Sequence, residues 1–309
     1  MKILFCSDFH LNLTNRIEDY SKSMLQILEA TKVVDAIYIL GDIYHKRQPH
    51  PKEQEIFRKW IVQIKCNKFI LLGNHDLNLD THTLNEFEIL GGAKIIKTPH
   101  ILEINNKRIY MGHQLIEGAK LGPGDLDLKV KGATSLNNLL SYKADLYLLG
   151  HIHKIQAVKQ EPPIIYVGSI ERVDFAERNE NKYFLILDTE KWKIQYHKLN
   201  IRPMQQIDID LNILQSMPTI EEGAIVKIVV KGTKEQIQKF NEAPLRDALV
   251  KSLTYKIIHE IVKENKTRNN QISETKTILD SFTEYSKTKE FNEETTQTGV
   301  KLMNEVDSK

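Results

Sequence analysis

The chain contains 309 residues, of which 41% are hydrophobic and 27% are charged, and it carries a formal net charge of +2 at pH 7. This composition is typical of globular proteins and excludes collagen, wholesale disorder and disulfide-stabilised miniproteins. The length predicts two domains, or one large domain with an appendage, and the small net charge means that a polyanionic partner would be bound by a local basic patch.

Short apolar runs recur in the first half of the chain, and each predicts a strand that is buried on both faces. They are residues 3–5, 36–40, 69–72, 109–111 and 146–149. Apolar residues at helical spacing fill the gaps between the first three runs, and Pro51 suits the first turn of the second helix. Alternating strands and helices predict parallel βαβ units. Closely spaced strands at residues 164–167, 183–187 and 192–199 favour an antiparallel extension.

The pattern changes near Arg202 and Pro203. Residues 205–211, 224–230 and 255–262 are predicted strands. Residues 233–252 are a predicted helix that begins with a capping box of Thr233 and Gln236. These elements predict a small βαβ module, and the polar chain from residue 263 onward predicts marginal amphipathic helices that could not fold alone.

The cysteines and the N-terminus predict the compartment. Cys6 and Cys66 lie in or beside apolar runs, where buried, reduced thiols are usual. The apolar stretch at residues 3–6 is shorter than a signal-peptide core, and no run approaches the roughly 20 apolar residues of a membrane span. We therefore expect a cytoplasmic protein with no membrane partner.

Each buried strand of the first half runs directly into a cluster of residues that can bind metal ions. The clusters are Asp8-Phe9-His10, Gly41-Asp42-Ile43-Tyr44-His45, Gly73-Asn74-His75-Asp76, Gly112-His113 and Gly150-His151-Ile152-His153. Ligands bind beyond the carboxyl ends of the strands in open α/β sheets, so we expect the clusters to converge. A mixture of His, Asp and Asn without thiolates suits Mn, Fe or Zn, and it differs from a structural zinc site built from cysteines.

The number of candidate ligands predicts two metal ions. The seven candidates are Asp8, His10, Asp42, Asn74, His113, His151 and His153. Seven ligands are more than one ion needs when water also coordinates. The simplest assignment is two ions that share Asp42 as a bridging ligand. Two ions roughly 3.5–4 Å apart clamp a phosphoryl group and stabilise the attacking and leaving oxygens. A lone cluster is often accidental, but five clusters that each follow a buried strand make accident improbable.

In order and spacing these motifs resemble the calcineurin-like metallophosphoesterase superfamily, whose pattern is D-x-H, G-D, G-N-H-D, G-H and G-H-x-H. The resemblance covers residues 2–199. It implies a four-layer αββα sandwich with a dinuclear centre. One ion would be held chiefly by Asp8, His10 and His153, and the other by Asn74, His113 and His151, with Asp42 bridging. His75 would not be a ligand but a general acid or transition-state stabiliser over the leaving group, oriented by Asp76.

Three further features resemble SbcD-type recombination nucleases. Residues 168–177 match the stretch G-S-x-E-R-x-x-F-x-E. His45 is similar to a second histidine that these nucleases place beside the DNA strand, and the module after Arg202 lies where they carry a capping domain. One departure is that only 37 residues separate His75 from His113, which indicates reduced DNA-contacting loops. Glu171 and Arg172 fit a functional role or a structural ion pair about equally.

The resemblance implies a DNA phosphodiesterase that depends on two divalent ions, Mn²⁺ by analogy. It would have 3′ to 5′ exonuclease and single-strand endonuclease activity, as the nuclease subunit of an SbcCD-like complex in DNA repair, recombination and replication. A small-molecule or protein phosphomonoesterase, or a phosphodiesterase of the same superfamily, is the alternative. A scaffold with a decayed centre is disfavoured because no ligand position is lost.

We accordingly expect a nuclease domain (1–201), a capping, DNA-binding domain (202–264) and a helical tail that docks on an SbcC-like coiled-coil ATPase (265–309). The apolar residues of the tail are Ile278, Leu279, Phe282, Tyr285, Val300, Met303 and Val306. Residues 83–91 carry Leu84, Phe87 and Leu90 on one helical face. This stripe predicts a homodimer contact or, equally, packing within the chain.

Overall fold

The structure is a computed structural model that describes residues 1–12, 16–77, 79, 86–96, 99–121, 132–213, 219–262, 278–289 and 291–307. The chain divides into two compact units. The larger unit consists of Met1–Ile207, Ser216–Ile228 and Glu242–Ile257, and the smaller of Asp208–Gln215, Val229–Asn241 and Ile258–Lys309. The boundaries expected after residues 201 and 264 stay predictions.

The larger unit contains a six-stranded sheet. Its strands are β1 (Lys2–Cys6), β2 (Ala36–Ile39), β3 (Asn67–Leu71), β4 (Ala93–Ile96), β10 (Tyr183–Asp188) and β11 (Lys193–Lys198). Their order across the sheet is β11-β10-β1-β2-β3-β4. β1 to β4 are parallel neighbours, and β10 runs antiparallel to both β1 and β11. The predicted parallel units and the antiparallel extension at residues 183–199 are therefore confirmed.

A five-stranded sheet lies in the same unit. Its strands are β5 (His100–Ile104), β6 (Lys107–His113), β7 (Leu146–Gly150), β8 (Gln156–Gln160) and β9 (Pro163–Tyr166), in the order β5-β6-β7-β9-β8. β6, β7 and β9 are parallel, and β5 and β8 are antiparallel edge strands. The antiparallel prediction for residues 164–167 was therefore wrong for the pairing of β9 with β7.

The two sheets pack face to face through apolar side chains. Ile3 and Phe5 of β1 are buried in one cluster with Ile109 of β6 and Leu148 of β7. Because side chains alternate between the faces of a strand, the intervening Leu4 belongs to the core on the opposite face. The contact between the sheets forms the centre of the larger unit.

Helices cover the outer faces of both sheets. α1 (Ile17–Thr31) and α2 (Pro51–Ile61) pack on the six-stranded sheet, and α2 begins at the predicted Pro51. The indole Nε1 of Trp60 donates to the carbonyl of Met24 at 2.6 Å, which joins α2 to α1. α3 (Leu136–Leu140) packs on the five-stranded sheet. The predicted four-layer αββα sandwich is confirmed.

A three-stranded sheet follows, with β12 (Met204–Asp210), β13 (Ile225–Gly232) and β14 (Thr254–Ile261) in the order β12-β13-β14. The connection from β13 to β14 contains α4 (Lys234–Lys239) and α5 (Ala243–Ala248).

The capping box at the start of α4 is formed as predicted. The Thr233 N–H donates to Gln236 Oε1 at 2.7 Å, and the Gln236 N–H donates to Thr233 Oγ1 at 3.3 Å. The prediction of one helix over residues 233–252 was wrong. Phe240 is extended (ψ 121°), and Pro244 cannot donate the backbone hydrogen bond that would continue the helix past it.

The C-terminal part contains α6 (Ile278–Thr288) and α7 (Glu293–Asp307). The Phe282 ring lies so close to Gly299 that a side chain at position 299 would collide with it. A glycine that would weaken an isolated helix thus permits α6 and α7 to pack against each other. Residues 263–277 lie outside the described residues.

The stripe predicted at residues 83–91 is only partly described, and Leu84 lies outside the described residues. A π-helix spans Glu86–Leu90. Phe87 is buried in the core beside α2, whereas Leu90 is exposed. Phe87 therefore packs within the chain, and a homodimer contact here stays a prediction.

Both cysteines are free, with Cys6 buried and Cys66 partly exposed. Within the described ranges, no helix combines the length and the apolar composition that crossing a membrane requires.

Candidate metal centre

The residues that follow β1, β2, β3, β6 and β7 meet at one edge of the sandwich. Three overlapping groups of side chains each place their nitrogen and oxygen atoms within 4.8 Å of one another. The groups are Asp8, His10 and His153; His10, Asp42 and His75; and Asp42, His113 and His151. Because His10 and Asp42 are shared, the groups form one continuous site.

Four of these residues have left-handed backbone conformations. The φ angles are 52° at Asp8, 46° at His10, 54° at Asp42 and 93° at His151. Such a conformation costs about 1–3 kcal/mol per residue for amino acids other than glycine and is concentrated at functional sites. The N–H of His10 donates to the carbonyl of Asp42 at 2.9 Å, which ties two of the strained turns together.

Two glycines allow the turns to approach one another. A side chain at Gly73 would collide with the Asp42 carboxylate, and one at Gly150 would collide with the Leu40 carbonyl and the Ser7 hydroxyl. These positions therefore require glycine for close approach, and not merely for flexibility.

His10 and His153 face each other at one end of the site. Their Nε2 atoms lie 2.9 Å apart, and Asp8 Oδ1 lies 4.0 Å from His10 Nε2. The Asp8 carboxylate also accepts the N–H of His151 at 3.0 Å, which fixes its orientation. Two imidazole lone pairs and a carboxylate that converge on one point are a donor set for a cation.

Glu177 fixes the tautomer of His153. Glu177 Oε1 lies 2.8 Å from His153 Nδ1, so Nδ1 donates to the carboxylate and Nε2 keeps its lone pair for a metal. Glu177 Oε2 lies 2.6 Å from Nζ of Lys182, whose side chain is 1% exposed. Burial would raise the pKa of Glu177, but the hydrogen bond from His153 and the charge of Lys182 lower it to about 2.

Asn74, His113 and His151 form the other end of the site. Asn74 Oδ1 lies 3.2 Å from His113 Nε2 and 2.8 Å from His151 Nδ1. The Nδ1 of His113 lies 2.6 Å from the Leu40 carbonyl and must donate to it, so Nε2 is the ring nitrogen that faces the site. That Nε2 lies 3.1 Å from Asp42 Oδ2. When the Nε2 proton is removed, this nitrogen and the oxygens of Asn74 and Asp42 converge as electron-pair donors for a cation.

Asp42 lies between the two ends. Its Oδ2 is 3.1 Å from His113 Nε2 and 3.6 Å from His10 Nε2. Burial would raise the pKa of Asp42, but the hydrogen bond with His113, the charges of His113 and His10, and the N–H of His75 together lower it to about 2. Burial would lower the pKa of His113, but Asp42 raises it to about 9. In the absence of a cation, a proton on His113 therefore compensates the negative charge of the buried Asp42 carboxylate.

His75 is positioned by backbone contacts. Its N–H donates to Asp42 Oδ1 at 2.9 Å, and its ring Nδ1 lies 2.6 Å from the carbonyl of His45, to which it donates. The His45 ring lies beside the His75 ring, with 5.8 Å between their centroids. Because His75 shares one of the three ligand groups with His10 and Asp42, its role as a non-ligand stays a prediction.

Asp76 contacts two loops. Its buried carboxylate accepts the N–H of Gly73 at 3.0 Å and the N–H of Ile43 at 3.1 Å. Burial and the neighbouring charge of Asp42 raise the pKa of Asp76 to about 7. These contacts join the turns after β2 and β3, whereas the ring of His75 is oriented by the His45 carbonyl and not by this carboxylate. The expected role of Asp76 in orienting His75 is therefore at most indirect.

Glu171 and Arg172 have separate partners. Glu171 Oε1 lies 3.0 Å from a guanidinium nitrogen of Arg16. The Arg172 guanidinium donates to the carbonyls of Glu180 at 3.0 Å and Arg202 at 2.9 Å. Of the two interpretations left open, these contacts favour structural support, and the partner of Glu171 is Arg16.

All ten predicted site residues therefore lie at one edge of the sandwich. Sequence reasoning missed the roles of Glu177 and Lys182. Glu177 ends the motif at residues 168–177, which was a usable signal. Lys182 lies five residues after Glu177, outside this motif, and nothing in the sequence around it indicated its role.

Residues 1–192 match the calcineurin-like phosphoesterase superfamily domain. The chain is also similar to the SbcD subunit of the nuclease SbcCD from Staphylococcus epidermidis. The two are 22% identical over 269 residues, which span 68% of this chain and 72% of that protein.

Three solved structures are also similar. TT1561 of Thermus thermophilus is 11% identical, with 64% of this chain and 99% of that chain covered and a TM-score of 0.41. The Pseudomonas putida nuclease MPE is 15% identical, and the match covers 59% of this chain and 83% of that chain with a TM-score of 0.33. A 5′-nucleotidase precursor from Thermus thermophilus is 11% identical, and the match covers 65% of this chain and 54% of that chain with a TM-score of 0.35.

Proposed function

The chain belongs to the calcineurin-like phosphoesterase superfamily, and from this premise we propose that it is a two-metal phosphodiesterase that cleaves DNA. It acts as a 3′ to 5′ exonuclease and single-strand endonuclease, and it is the nuclease subunit of an SbcCD-like complex in DNA repair, recombination and replication. The similarity to the SbcD subunit of SbcCD supports the choice of DNA as substrate.

The observation that carries this proposal is the contact between Glu177 and His153. Glu177 ends the ten-residue stretch that resembles the SbcD-type nucleases, and it reaches a candidate metal ligand at 2.8 Å. The same stretch makes a second contact, because the N–H of Ser169 donates to the carbonyl of His153 at 3.0 Å. The stretch that resembles nucleases thus supports the site itself and not a remote surface.

The donor atoms fit two divalent cations, for which we favour Mn²⁺. One set is Asp8, His10 and His153, and the other is Asn74, His113 and His151, with Asp42 between them. Each set contains nitrogen lone pairs whose opposite ring nitrogen already donates to the protein, at His153 and at His113. When bound, such cations supply Lewis-acid stabilisation of phosphoryl charge and lower the pKa of a water molecule.

His75 acts on the leaving oxygen. Its Nδ1 hydrogen is held by the His45 carbonyl, so Nε2 is the ring atom that can exchange a proton with the substrate. As an imidazolium it would donate through Nε2 to the departing oxygen. The His45 ring lies beside this position and keeps the nucleic-acid strand in line.

The partners are DNA, a coiled-coil ATPase like SbcC, and a second copy of the chain. The tail helices α6 and α7 each keep a large apolar side chain exposed, Tyr285 in α6 and Leu302 in α7. We assign this tail to docking on the ATPase. Leu90 and Ile89 are exposed next to the buried Phe87, and we assign them to the homodimer contact.

The test compares substrates. The full chain with Mn²⁺ is incubated with end-labelled duplex, single-stranded and hairpin DNA, and in parallel with a chromogenic phosphodiester and a phosphomonoester. We expect cleavage of DNA and of the phosphodiester. Hydrolysis of the phosphomonoester without DNA cleavage would contradict the proposal and support a phosphomonoesterase.

A further inference from the structure

A groove opens beside the metal centre in the larger unit. Two cavities of about 430 Å³ and about 320 Å³ share Ile155 and Tyr183 as walls, so they are adjacent. The first is lined by Lys154 and Arg178, and the second by Tyr196. We call these two adjacent cavities together the Lys154 groove.

Two residues that line the groove are chain neighbours of residues at one end of the metal centre. Lys154 directly follows His153, and Arg178 directly follows Glu177. Because His153 and Glu177 are hydrogen bonded at 2.8 Å, their chain neighbours are brought to the same place. A molecule bound between Lys154 and Arg178 therefore lies next to one end of the metal site.

The groove presents positive charge that the chain does not neutralise. Within the described part of the chain, neither Lys154 nor Arg178 is in an ion pair. The Arg178 guanidinium lies 6.0 Å from the centroid of the Phe175 ring, and Lys227 Nζ approaches the same ring at 5.9 Å. The carboxylate of Glu180, which also lines the groove, lies 3.1 Å from Lys182.

Two tyrosines form the far part of the groove. Tyr196 of β11 lies directly across from Leu185 of β10, and Tyr183 is two residues before Leu185. Both rings therefore project from the same face of the sheet, at neighbouring positions. Tyr196 is 49% exposed, which leaves much of its ring accessible. Accessible aromatic rings beside a cationic groove are the features on which single-stranded nucleic acids stack their bases.

We propose that the Lys154 groove binds single-stranded DNA on one side of the scissile phosphate. Lys154 and Arg178 contact backbone phosphates, and Tyr183 and Tyr196 stack with the bases. This inference rests on the proposed DNA-cleaving function and specifies where its substrate lies. A small phosphomonoester would use only the metal centre, so such a groove favours a polymeric substrate.

The test measures binding without cleavage. A fluorescein-labelled oligodeoxythymidylate is titrated with the full chain in EDTA, at several salt concentrations, and its anisotropy is recorded. The variant K154E/R178E is compared with K32E/K65E, which makes the same charge change before the amino ends of β2 and β3, away from the site. Melting of each variant is monitored to confirm folding.

We expect K154E/R178E to weaken binding at least about tenfold and to reduce the slope of log Kd against log salt by about 1.4, since each lost phosphate contact on a single strand accounts for about 0.7. K32E/K65E should bind as the wild type does. Equal binding by K154E/R178E and the wild type would overturn the proposal. If the double variant does not fold, K154A alone is used, with an expected decrease in slope of about 0.7.

Base stacking on Tyr196 is tested in a separate binding experiment. We expect Y196L to weaken binding of the oligodeoxythymidylate by about 5- to 100-fold, as loss of one stacked base implies, but not binding of an abasic oligomer of equal length. Equal losses on both oligomers would contradict stacking. If an oligoglutamate competes as well as the DNA does, the groove binds anions in general and the proposal is wrong.

Failure of this inference is distinguishable from failure of the proposed function. Mn²⁺-dependent DNA cleavage together with unchanged DNA binding by K154E/R178E would contradict the groove alone. Groove-dependent binding without any DNA cleavage would contradict the proposed function alone.

Discussion

His153 Nδ1 and Glu177 Oε1 lie 2.8 Å apart, and the second oxygen of Glu177 lies 2.6 Å from the buried Lys182. This chain of contacts leads from the interior of the protein to one end of the metal centre. Because a carboxylate that accepts from Nδ1 raises the basicity of Nε2, Glu177 controls how well His153 can bind a cation. Lys182 in turn keeps Glu177 ionised and immobile.

Glu177→Gln should therefore weaken Mn²⁺ binding by about 10- to 100-fold. The glutamine side chain carries no negative charge and has one carbonyl oxygen. It therefore cannot both accept the Nδ1 hydrogen of His153 and compensate the charge of Lys182. Titration of Mn²⁺ followed by electron paramagnetic resonance measures the affinity directly. Glu180→Gln is the matched control, because Glu180 also contacts Lys182, at 3.1 Å, but in a separate ion pair. Similar losses in both variants would show that the effect comes from Lys182 and not from His153.

His45 should position the DNA strand and not bind metal. The seven predicted ligands would suffice for two ions, and the His45 ring lies beside His75, with 5.8 Å between the centroids. His45→Ala should impair exonuclease activity more than endonuclease activity and leave the metal content unchanged. End-labelled duplex and circular single-stranded DNA separate the two activities. Equal loss of both, together with loss of metal, would identify His45 as a ligand.

The homodimer prediction is tested at an exposed residue. Leu90 is 51% exposed, whereas Phe87 in the same π-helix is buried and would test folding instead. Light scattering should give about twice the chain mass of 35.8 kDa for the wild type, and Leu90→Asp should reduce it to that of one chain. A wild-type mass near 36 kDa at micromolar concentration would exclude the dimer.

The tail should be dispensable for chemistry but required for ATPase docking. The two tail helices pack on each other through Phe282 and Gly299, yet Leu302 is exposed. Deletion of residues 266–309 should leave Mn²⁺-dependent hydrolysis of a chromogenic phosphodiester largely intact and abolish co-purification with the ATPase subunit. Normal binding of the ATPase by the truncated chain would contradict the docking role.

The fold and the site were predictable to different extents. Strands followed by Asp8-x-His10 and Gly150-His151 predicted sites at the carboxyl ends of parallel strands. The two clusters belong to different sheets, and the packing of the two sheets brings them together. The contact of His75 with the His45 carbonyl was not predictable, since any residue at position 45 has that carbonyl. Local patterns encode strands and turns, whereas backbone contacts between distant loops have no sequence signature.

The structure changed two of these interpretations, for different physical reasons. The helix predicted over residues 233–252 ends at Lys239, because Pro244 interrupts the backbone hydrogen bonds although the apolar periodicity continues past it. The ion pair considered between Glu171 and Arg172 is replaced by one between Glu171 and Arg16. The partner is distant in sequence, so spacing alone could not identify it.

Metal content and DNA cleavage, measured on the same variants, separate the role of Asp42, which would hold both cations, from that of His75, which would act on the leaving group. We predict two Mn²⁺ ions per chain in the wild type and in His75→Ala, and fewer in Asp42→Asn. Both variants should lose DNA cleavage, His75→Ala by about 10²- to 10⁴-fold, as expected for loss of a general acid. Equal loss of metal in the two variants, or a single ion per wild-type chain, would contradict the account.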